Sequence, residues 1–277
     1  PLTIEEIKSC FNIHEMKKVL KLKDFDHPYL LQLRTYGYFY WKNTGLLPNL
    51  ILHLISSRTM EEIDLCYSLD IDKYENWLQR RLGELVEEAK RAERRSLRRR
   101  KVATNFPFPF PRPRKGQVEL INAIEEGMAK KAPMMLQAPT GLGKTVGVLY
   151  PALKEALSRG QKVIYVTPKN SQQRGAEEAM EKFQHQGCEV KSLTLTAKSK
   201  LCMKAEPLCN PEYCEFARDH YDKLHLHDLK GQLMKKKKIT SRVIKNLAEK
   251  YQVCPFELQL EAVEEVDAVI CDYNYVF

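Results

Sequence analysis

Residues 136–153 read LQAPTGLGKTVGVLYPAL, and this stretch decides the fold. An apolar segment ends just before Ala138, glycines occupy positions 141 and 143, and a helical pattern begins at Lys144. The two glycines let a loop turn successive backbone N–H groups inward, and the N-terminus of the following helix adds partial positive charge. The stretch therefore predicts a strand, a loop and a helix that together bind the phosphates of a nucleoside triphosphate.

Several side chains in and near this loop have predictable roles. Lys144 is expected to reach the β- and γ-phosphates and the Thr145 hydroxyl to ligate Mg²⁺, so both are candidate catalytic residues. Ala138 stands where the general pattern has its first glycine. Gln117 lies about twenty residues before the loop, and its amide can both donate to and accept from the edge of an adenine. The predicted nucleotide-binding residues are Gln117, Ala138, Pro139, Thr140, Gly141, Leu142, Gly143, Lys144 and Thr145.

The pattern around the loop alternates helix and strand from residue 116 onward. Helical periodicity is found in VELINAIEEGMAK, KTVGVLYPALKEALS and QRGAEEAMEKFQ, and strand-like segments in PMMLQ, KVIYVTP and VKSLTLT. Such alternation implies right-handed crossovers. It predicts an α/β fold, a parallel sheet with helices on both faces.

The chain before residue 116 divides into three segments. Residues 1–72 predict a strand at TIEEIKS, a helix at HPYLLQLRTYGYFYWK and two strands at NLILHLISS and EEIDLCYSL. Residues 73–103 predict a long charged helix that links two domains. The alternating Phe-Pro run in NFPFPFPRPRKGQ excludes a helix and predicts a stiff extended connector at the domain boundary.

Charge and hydropathy narrow the classes of partner. The 277 residues carry a formal net charge of +9, which favours a polyanionic partner because each neutralised phosphate releases bound counterions. Basic residues cluster in KRAERRSLRRRK (90–101) and KKKK (235–238), which are either contacts with nucleic-acid phosphates or solvated helix faces. No apolar run reaches the roughly 18 residues of a membrane span, and the first residues lack the layout of a secretion signal. We expect a cytoplasmic protein without a membrane partner.

Four of the eight cysteines follow the third predicted strand: Cys202, Cys209, Cys214 and Cys254. Intervals of six, four and thirty-nine residues separate them. Four thiolates can hold an iron-sulphur cluster or a zinc ion, and unliganded buried thiols are a third reading. Only the interval from Cys209 to Cys214 approaches a zinc knuckle, so the spacing favours the cluster. The remaining cysteines, at positions 10, 66, 188 and 271, are expected to be packing residues.

Seven short motifs point to a known family. FPFPRPRKGQ, QAPTGLGKT, YVTPKNS, LTAKSKLC, CNPEYC, CPFE and ICDYNYVF occur in the order found in superfamily 2 DNA helicases of the XPD/DinG type, which the chain resembles from about residue 104 to 277. The resemblance implies a RecA-like motor domain over 104–199 and 256–277, and an inserted, mainly helical [4Fe-4S] domain over 200–255.

The same resemblance implies an activity. Such a helicase uses ATP and Mg²⁺, translocates on single-stranded DNA in the 5′ to 3′ direction, and unwinds forked DNA in repair or replication. Cys202, Cys209, Cys214 and Cys254 would hold the cluster, Gln117 would read adenine, and Thr167 to Ser171 would touch the DNA backbone.

The N-terminal segment resembles the second half of a RecB-type PD-(D/E)xK nuclease. That fold places an acidic-x-Lys triplet on a strand and Q-x-x-x-Y on the next helix, which correspond here to Glu6, Lys8, Gln32 and Tyr36. Glu6 and Lys8 are two apart on a strand and project from one face, where a carboxylate can hold a divalent metal and an ammonium can activate water. Both are therefore candidate catalytic residues. Without the helicase motifs, a generic amphipathic strand and helix would explain the same pattern.

Two elements of these families are absent from the sequence. A PD-(D/E)xK site needs an earlier metal-binding Asp, and only five residues precede Glu6. A helicase needs an Asp-Glu pair, but Tyr273 follows Asp272 in DAVICDYN. We therefore expect an internal fragment of a longer protein, with the acidic pair beyond residue 277 and no ATP turnover by the fragment alone. Rival readings are a P-loop NTPase of another class and a zinc-containing DNA-binding P-loop ATPase without unwinding activity.

Overall fold

The computed structural model describes residues 2–209 and 213–276, without the side chains of Asp26 and Asn170. The chain divides into two compact units, Pro1–Lys90 and Arg91–Phe277. The division falls inside a long helix, whereas the sequence placed the boundary in the following Phe-Pro segment. The assignment of domains to families stays a prediction.

Unit 1 is a small α/β unit. Strand β1 runs parallel to β2, and β2 runs antiparallel to β3. Helix α2 begins at a proline, with the His27 side chain accepting the Tyr29 backbone N–H, and it ends at Gly45, whose φ of 75° is left-handed. These are the start and stop signals that its sequence contains. The elements are β1 (Thr3–Cys10), α1 (Ile13–Lys23), α2 (Pro28–Thr44), β2 (Asn49–Ser56) and β3 (Glu62–Tyr67).

The alternation of apolar residues in unit 1 decides which sheet face is buried. Leu50, Leu52 and Leu54 of β2 are fully buried, and their neighbours in the strand are partly exposed. The core against this face also contains Leu30 and Leu33 of α2. The helix and three strands predicted for residues 1–72 are therefore confirmed.

A single helix, α3 (Ile71–Thr104), connects the two units. It is three residues longer in total than the predicted range 73–103, and half of its residues are charged. Its final turns, from Arg91 onward, belong to unit 2.

Unit 2 contains a parallel sheet. In its described part the strand order is β4–β7–β5–β6, and every neighbouring pair is parallel. The predicted α/β class is thus confirmed at the level of a parallel sheet with packed helices. The strands are β4 (Val163–Thr167), β5 (Ser192–Thr194), β6 (Lys238–Ile239) and β7 (Ala268–Asp272). The helices are α4 (Gln117–Ala129), α5 (Lys144–Ser158), α6 (Asn170–His185), α7 (Lys198–Leu201), α8 (His220–Leu226), α9 (Leu229–Met234), α10 (Ser241–Tyr251) and α11 (Pro255–Ala262).

One predicted strand is absent from the described residues of this sheet. Residues 133–137, PMMLQ, have no regular structure, and the Met135 side chain is fully exposed. An apolar run becomes a strand only where a neighbour accepts its backbone hydrogen bonds. The described sheet ends at β4 and β6, and neither edge pairs with this segment.

Two apolar cores flank the sheet of unit 2. One packs α5 and α6 with Phe106 from the Phe-Pro segment and Ile270 of β7. The other joins residues of α7 to α11 with Leu193 of β5 and Val269 of β7. Most of the segment 200–255 therefore shares its core with the sheet, and its strand β6 pairs with β5. The family resemblance implied an inserted domain over 200–255, and in the structure most of this segment packs on the sheet.

Candidate functional site: phosphate loop, cysteine cavity and acidic-lysine cluster

The backbone of the phosphate loop requires its glycines. Gly141 and Gly143 both have a φ of 83°, and Gly143 is the N-cap of α5. A Cβ on Gly143 would lie 2.8 Å from the Gln117 amide nitrogen. Any other residue at 143 would combine left-handed strain with a steric clash, so this position is specific for glycine.

Lys144 and Thr145 open the helix that follows the loop. The Lys144 Nζ donates to the carbonyl oxygens of Ala138 at 3.0 Å and Pro139 at 3.1 Å, which places the cation over the loop. Thr145 lies in the first turn of α5 and lines the adjoining cavity. Lys144 and Thr145 thus both lie in the first turn of α5, at the end of the helix that favours an anion.

Gln117 has a contact that its sequence position did not predict. Its side chain is buried, its Oε1 accepts the Arg114 backbone N–H at 3.0 Å, and its Nε2 donates to the Gly143 carbonyl at 3.0 Å. Arg114 also donates to the Gly141 carbonyl at 2.8 Å. Gln117 therefore braces the phosphate loop from the start of α4.

A cavity of about 530 Å³ adjoins the loop. The Phe-Pro segment forms one wall through Phe110 and Arg112, and α6 contributes Lys182. The Lys182 Nζ lies 5.0 Å from the centre of the Phe110 ring. The segment predicted as a stiff connector is thus also a wall of the cavity beside the phosphate loop, with an aromatic surface and basic side chains.

The segment from Thr167 to Ser171 joins β4 to α6. The Thr167 hydroxyl is buried and donates to the Lys169 carbonyl at 3.2 Å. Pro168, Lys169 and Ser171 are exposed. The Asn170 side chain lies outside the described residues, and contact of this segment with the DNA backbone stays a prediction.

Asp272 ends β7 and has a local role. Its Oδ1 accepts from the backbone N–H of Asn274 at 3.0 Å and from the Asn274 side chain at 2.6 Å. Asp272 therefore caps the following turn. This local role agrees with the sequence, in which Tyr273 stands where an Asp-Glu motif needs its Glu.

All four candidate cluster cysteines line one cavity of about 280 Å³. Cys202 follows α7 directly, Cys254 is the N-cap of α11, and Cys209 and Cys214 lie in the intervening loop. Residues 210–212, the centre of the CNPEYC motif, lie outside the described residues. The fold thus brings the fourth cysteine to the other three across thirty-nine residues of chain.

Charged side chains surround these thiols. A hydrogen bond with Cys209 raises the pKa of Lys198, and the Glu215 carboxylate raises the pKa of Lys204, with smaller contributions from Cys214 and Cys202. Burial raises the pKa of the Cys254 thiol. Two ammonium groups near four thiols would offset the negative charge that thiolate ligands carry.

The iron-sulphur cluster predicted at this cavity stays a prediction. In residues 2–209 and 213–276, no three Cys, His, Asp or Glu side chains are placed to hold one metal ion, although the four thiols share one cavity. His220 lines it too, and burial lowers the pKa of this imidazole. Its Nδ1 accepts the Cys254 backbone N–H at 3.2 Å, and its buried Nε2 has no partner within the described chain. An unpaired buried donor costs about 1–3 kcal/mol, so this wall of the cavity suits a polar group.

Glu6, Lys8, Gln32 and Tyr36, the residues predicted for a nuclease-like site, form a continuous chain of contacts. The Lys8 Nζ lies 2.7 Å from Glu6 Oε1 and donates to Gln32 Oε1 at 2.9 Å. The Gln32 Nε2 in turn donates to the Tyr36 hydroxyl at 2.8 Å. The hydrogen bond to Glu6 raises the pKa of Lys8. Strand β1 and helix α2 thus bring together four residues that are up to thirty positions apart.

The basic run 90–101 contains two residues that cannot serve as free phosphate contacts. Arg99 is buried, and Arg98 and Arg99 both pair with the buried carboxylate of Asp267. Arg100 of the same run is exposed. The sequence left two interpretations of this run open, contact with nucleic-acid phosphate and a solvated helix face. Arg98 and Arg99 fit neither, because both are paired with Asp267 inside the protein.

Comparison with known proteins assigns much of unit 2. A family model for the DEAD/DEAH box helicases matches residues 114–216, and the family model DEAD_2 matches residues 170–277. No curated protein matches the chain. No described helix is long and apolar enough to cross a membrane. The two matches overlap and include the phosphate loop and the cysteines, and they support a superfamily 2 helicase segment with ATP-dependent activity on nucleic acid.

Proposed function

We propose that the chain is part of an XPD/DinG-type DNA helicase, in which ATP hydrolysis drives movement along single-stranded DNA and opens forked duplexes during repair or replication. One observation carries the proposal. A phosphate loop and a four-cysteine cavity occur in the same parallel-sheet unit, within the region that helicase family models match. A P-loop NTPase of another class does not require the cysteines.

Each residue of the loop has a separate role in the proposed binding of the nucleotide. Backbone N–H groups from 141 to 145 would hold the phosphates, the Lys144 ammonium would neutralise the terminal phosphate, and the Thr145 hydroxyl would ligate Mg²⁺. We further propose that Gln117 exchanges its contact with the Gly143 carbonyl for the edge of the adenine. Residues 268–276 offer no Asp-Glu pair to activate water, so the chain alone is expected to bind ATP without turnover.

A second cavity supports contact with the DNA backbone. It has a volume of about 480 Å³ and lies at the carboxyl ends of β5 and β7. Its lining contains Thr196, Lys200 and Asn274, together with the carboxylates of Asp272 and of Glu177, to which the Thr194 hydroxyl donates at 2.6 Å. In open parallel sheets, ligands bind at the carboxyl ends of the strands. Hydroxyls, an amide and an ammonium are the groups that contact phosphate oxygens without reading sequence.

We propose that Cys202, Cys209, Cys214 and Cys254 hold a [4Fe-4S] cluster. Such a cluster, when bound, supplies a redox-active centre and crosslinks the loop after α7 to the start of α11. The chain's own contribution is to bring the four thiols to one cavity and to place Lys198 and Lys204 beside them.

The acidic-lysine cluster of unit 1 favours a second function for the same protein. We propose that Glu6, Lys8, Gln32 and Tyr36 belong to a PD-(D/E)xK nuclease-like domain that grips or cuts DNA. The contacts from Glu6 to Tyr36 support it, since a generic strand and helix would not need to align these four polar groups. Cutting would also need a metal-binding carboxylate from elsewhere.

The test of the helicase proposal uses forked DNA and the whole helicase of which we propose that the chain is part. We expect ATP hydrolysis that depends on single-stranded DNA, and displacement of one strand of the fork. Hydrolysis without strand displacement, from protein that contains zinc, would favour a zinc-containing DNA-binding ATPase instead.

A further inference from the structure

His220 is the first residue of α8, and only 4% of it is exposed. It lies between Cys214 and Cys254 in the sequence and lines the cavity that all four cysteines share. Its ring also packs edge-on against Tyr221, with centroids 5.0 Å apart. None of the sequence motifs assigns it a role.

The two ring nitrogens of His220 have different surroundings. The Nδ1 accepts the Cys254 backbone N–H at 3.2 Å, so it carries a lone pair and the ring proton is on Nε2. The Nε2–H is buried and has no acceptor in the part of the chain that the structure describes. Buried donors in folded proteins are nearly always paired, so this N–H lacks the partner that its environment demands.

The cavity's two ammonium groups are already engaged. Lys204 contacts both carboxylate oxygens of Glu215, at 3.0 and 2.9 Å, and the Lys198 Nζ lies 5.6 Å from the centre of the Phe256 ring. The imidazole is therefore the cavity-lining donor that still needs an acceptor. Sulfur atoms are the acceptors that a thiolate-bound cluster brings to such a wall.

We propose that the Nε2–H of His220 donates a hydrogen bond to a sulfur of the cluster and raises its reduction potential. This inference rests on the proposed [4Fe-4S] cluster. A hydrogen bond to a cluster sulfur stabilises the reduced, more negative state, which is why such bonds tune potential. His220 is then a positioning residue with two functions, because Nδ1 holds the backbone of the fourth ligand and Nε2 reaches the cluster.

Two substitutions separate the functions of the two nitrogens. In His220→Asn, the side-chain oxygen can still accept the Cys254 N–H, but the donor at the Nε2 position is lost. In His220→Gln, the longer amide can still donate towards the cluster, but the Cys254 contact is lost. His225→Asn is the matched control, since His225 lies on the same helix and is exposed.

The measurements are the midpoint potential of the anaerobically purified protein, by EPR-monitored redox titration, and the rate at which a chelator removes iron. We expect His220→Asn to keep its iron and to have a lower midpoint potential than wild type. We expect His220→Gln to keep nearly the wild-type potential but to lose iron faster. His225→Asn should match wild type in both measurements.

The outcomes distinguish this inference from the function on which it rests. A wild-type protein without a cluster would overturn both the proposed [4Fe-4S] cluster and the role of His220. A wild-type cluster whose potential is unchanged in His220→Asn would overturn the role of His220 alone. If His220→Asn fails to fold, the test is pulsed EPR of the reduced wild-type protein with ¹⁵N-labelled histidine. A ¹⁵N coupling to the cluster would support the hydrogen bond. The absence of such a coupling would contradict it.

Discussion

The Nε of Arg99 lies 3.2 Å from Oδ1 of Asp267, and both side chains are buried, the carboxylate completely. Arg98 donates to the same oxygen, and Asp267 Oδ2 accepts the Lys191 backbone N–H at 2.8 Å. Arg99 also donates to the carbonyls of Glu264 and Val266. The end of α3 is thereby anchored to the chain segment that enters β7.

Asp267→Ala should destabilise unit 2 strongly. The substitution leaves the Arg99 guanidinium buried without a counter-charge, a change that typically costs about 3–5 kcal/mol. Chemical denaturation followed by circular dichroism measures the loss. Arg100→Ala is the control, because an exposed substitution on the same helix should change the free energy of unfolding by about 0.5 kcal/mol or less. If Asp267→Ala lowered the free energy of unfolding by a similarly small amount, the result would contradict the stabilising role of the Arg99–Asp267 ion pair.

Lys144→Ala should abolish ATP hydrolysis by the helicase that we propose and leave its binding to DNA nearly intact. Removing a positioned donor to a reacting phosphate typically lowers turnover by at least about 100-fold. The readout is phosphate release in the presence of single-stranded DNA. Lys154→Ala is a suitable control, since Lys154 lies on the same helix and pairs with Glu125 at the surface. Undiminished turnover in Lys144→Ala would refute the assignment of the loop.

Anaerobically purified protein should be brown, with about four iron and four acid-labile sulphide per chain. Cys209→Ser should bleach the colour, whereas Cys66→Ser, at an exposed cysteine of unit 1, should leave it unchanged. Colourless protein with one stoichiometric zinc would show that the metal was wrongly chosen.

Because α7 to α11 share a core with β5 and β7, we expect bleached protein to lose stability across unit 2 rather than to unfold only at 200–255.

Unit 1 should lose a pH-dependent part of its stability as pH rises. The Asp64 carboxylate, 2.6 Å from Nδ1, raises the pKa of His53, with a smaller contribution from Glu5. A raised pKa means that the stabilisation is complete below the ordinary value of about 6.5 and is lost as pH rises through the folded-state pKa. Tryptophan fluorescence isolates this unit, since Trp41 and Trp77 are the two tryptophans of the chain.

His53→Gln is the comparison for this measurement. The difference in melting temperature between wild type and His53→Gln should be largest at about pH 5.5 and smaller at about pH 8.5. A difference that does not change with pH would contradict a protonated His53 in the folded unit.

Local patterns predicted the elements that carry the site. The helix predicted from Lys144 is α5, and the strand-like KVIYVTP contains β4. Periodicity and glycine positions encode such structure within a few residues. The apolar run at 133–137 misled the prediction, because a strand also needs a neighbour that the run itself does not specify.

Contacts between distant residues could not be predicted in the same way. Arg99 and Asp267 are 168 residues apart, and no local pattern tells which carboxylate a basic run will meet. The four cysteines were grouped from their number and spacing, and the family resemblance then strengthened that prediction. His220 went unnoticed because one histidine between two cysteines is a weak signal until its burial and its unpaired nitrogen are known.

Strand β4 lies at an edge of the described sheet, and its Ile164 side chain is 52% exposed. An uncovered row of backbone N–H and C=O groups beside apolar side chains is a template on which another chain can add a strand. The isolated chain should therefore self-associate as its concentration rises, which light scattering would detect. Ile164→Lys should suppress that association by placing a charge on the growing edge, and this variant would suit work at the concentrations that crystallisation requires.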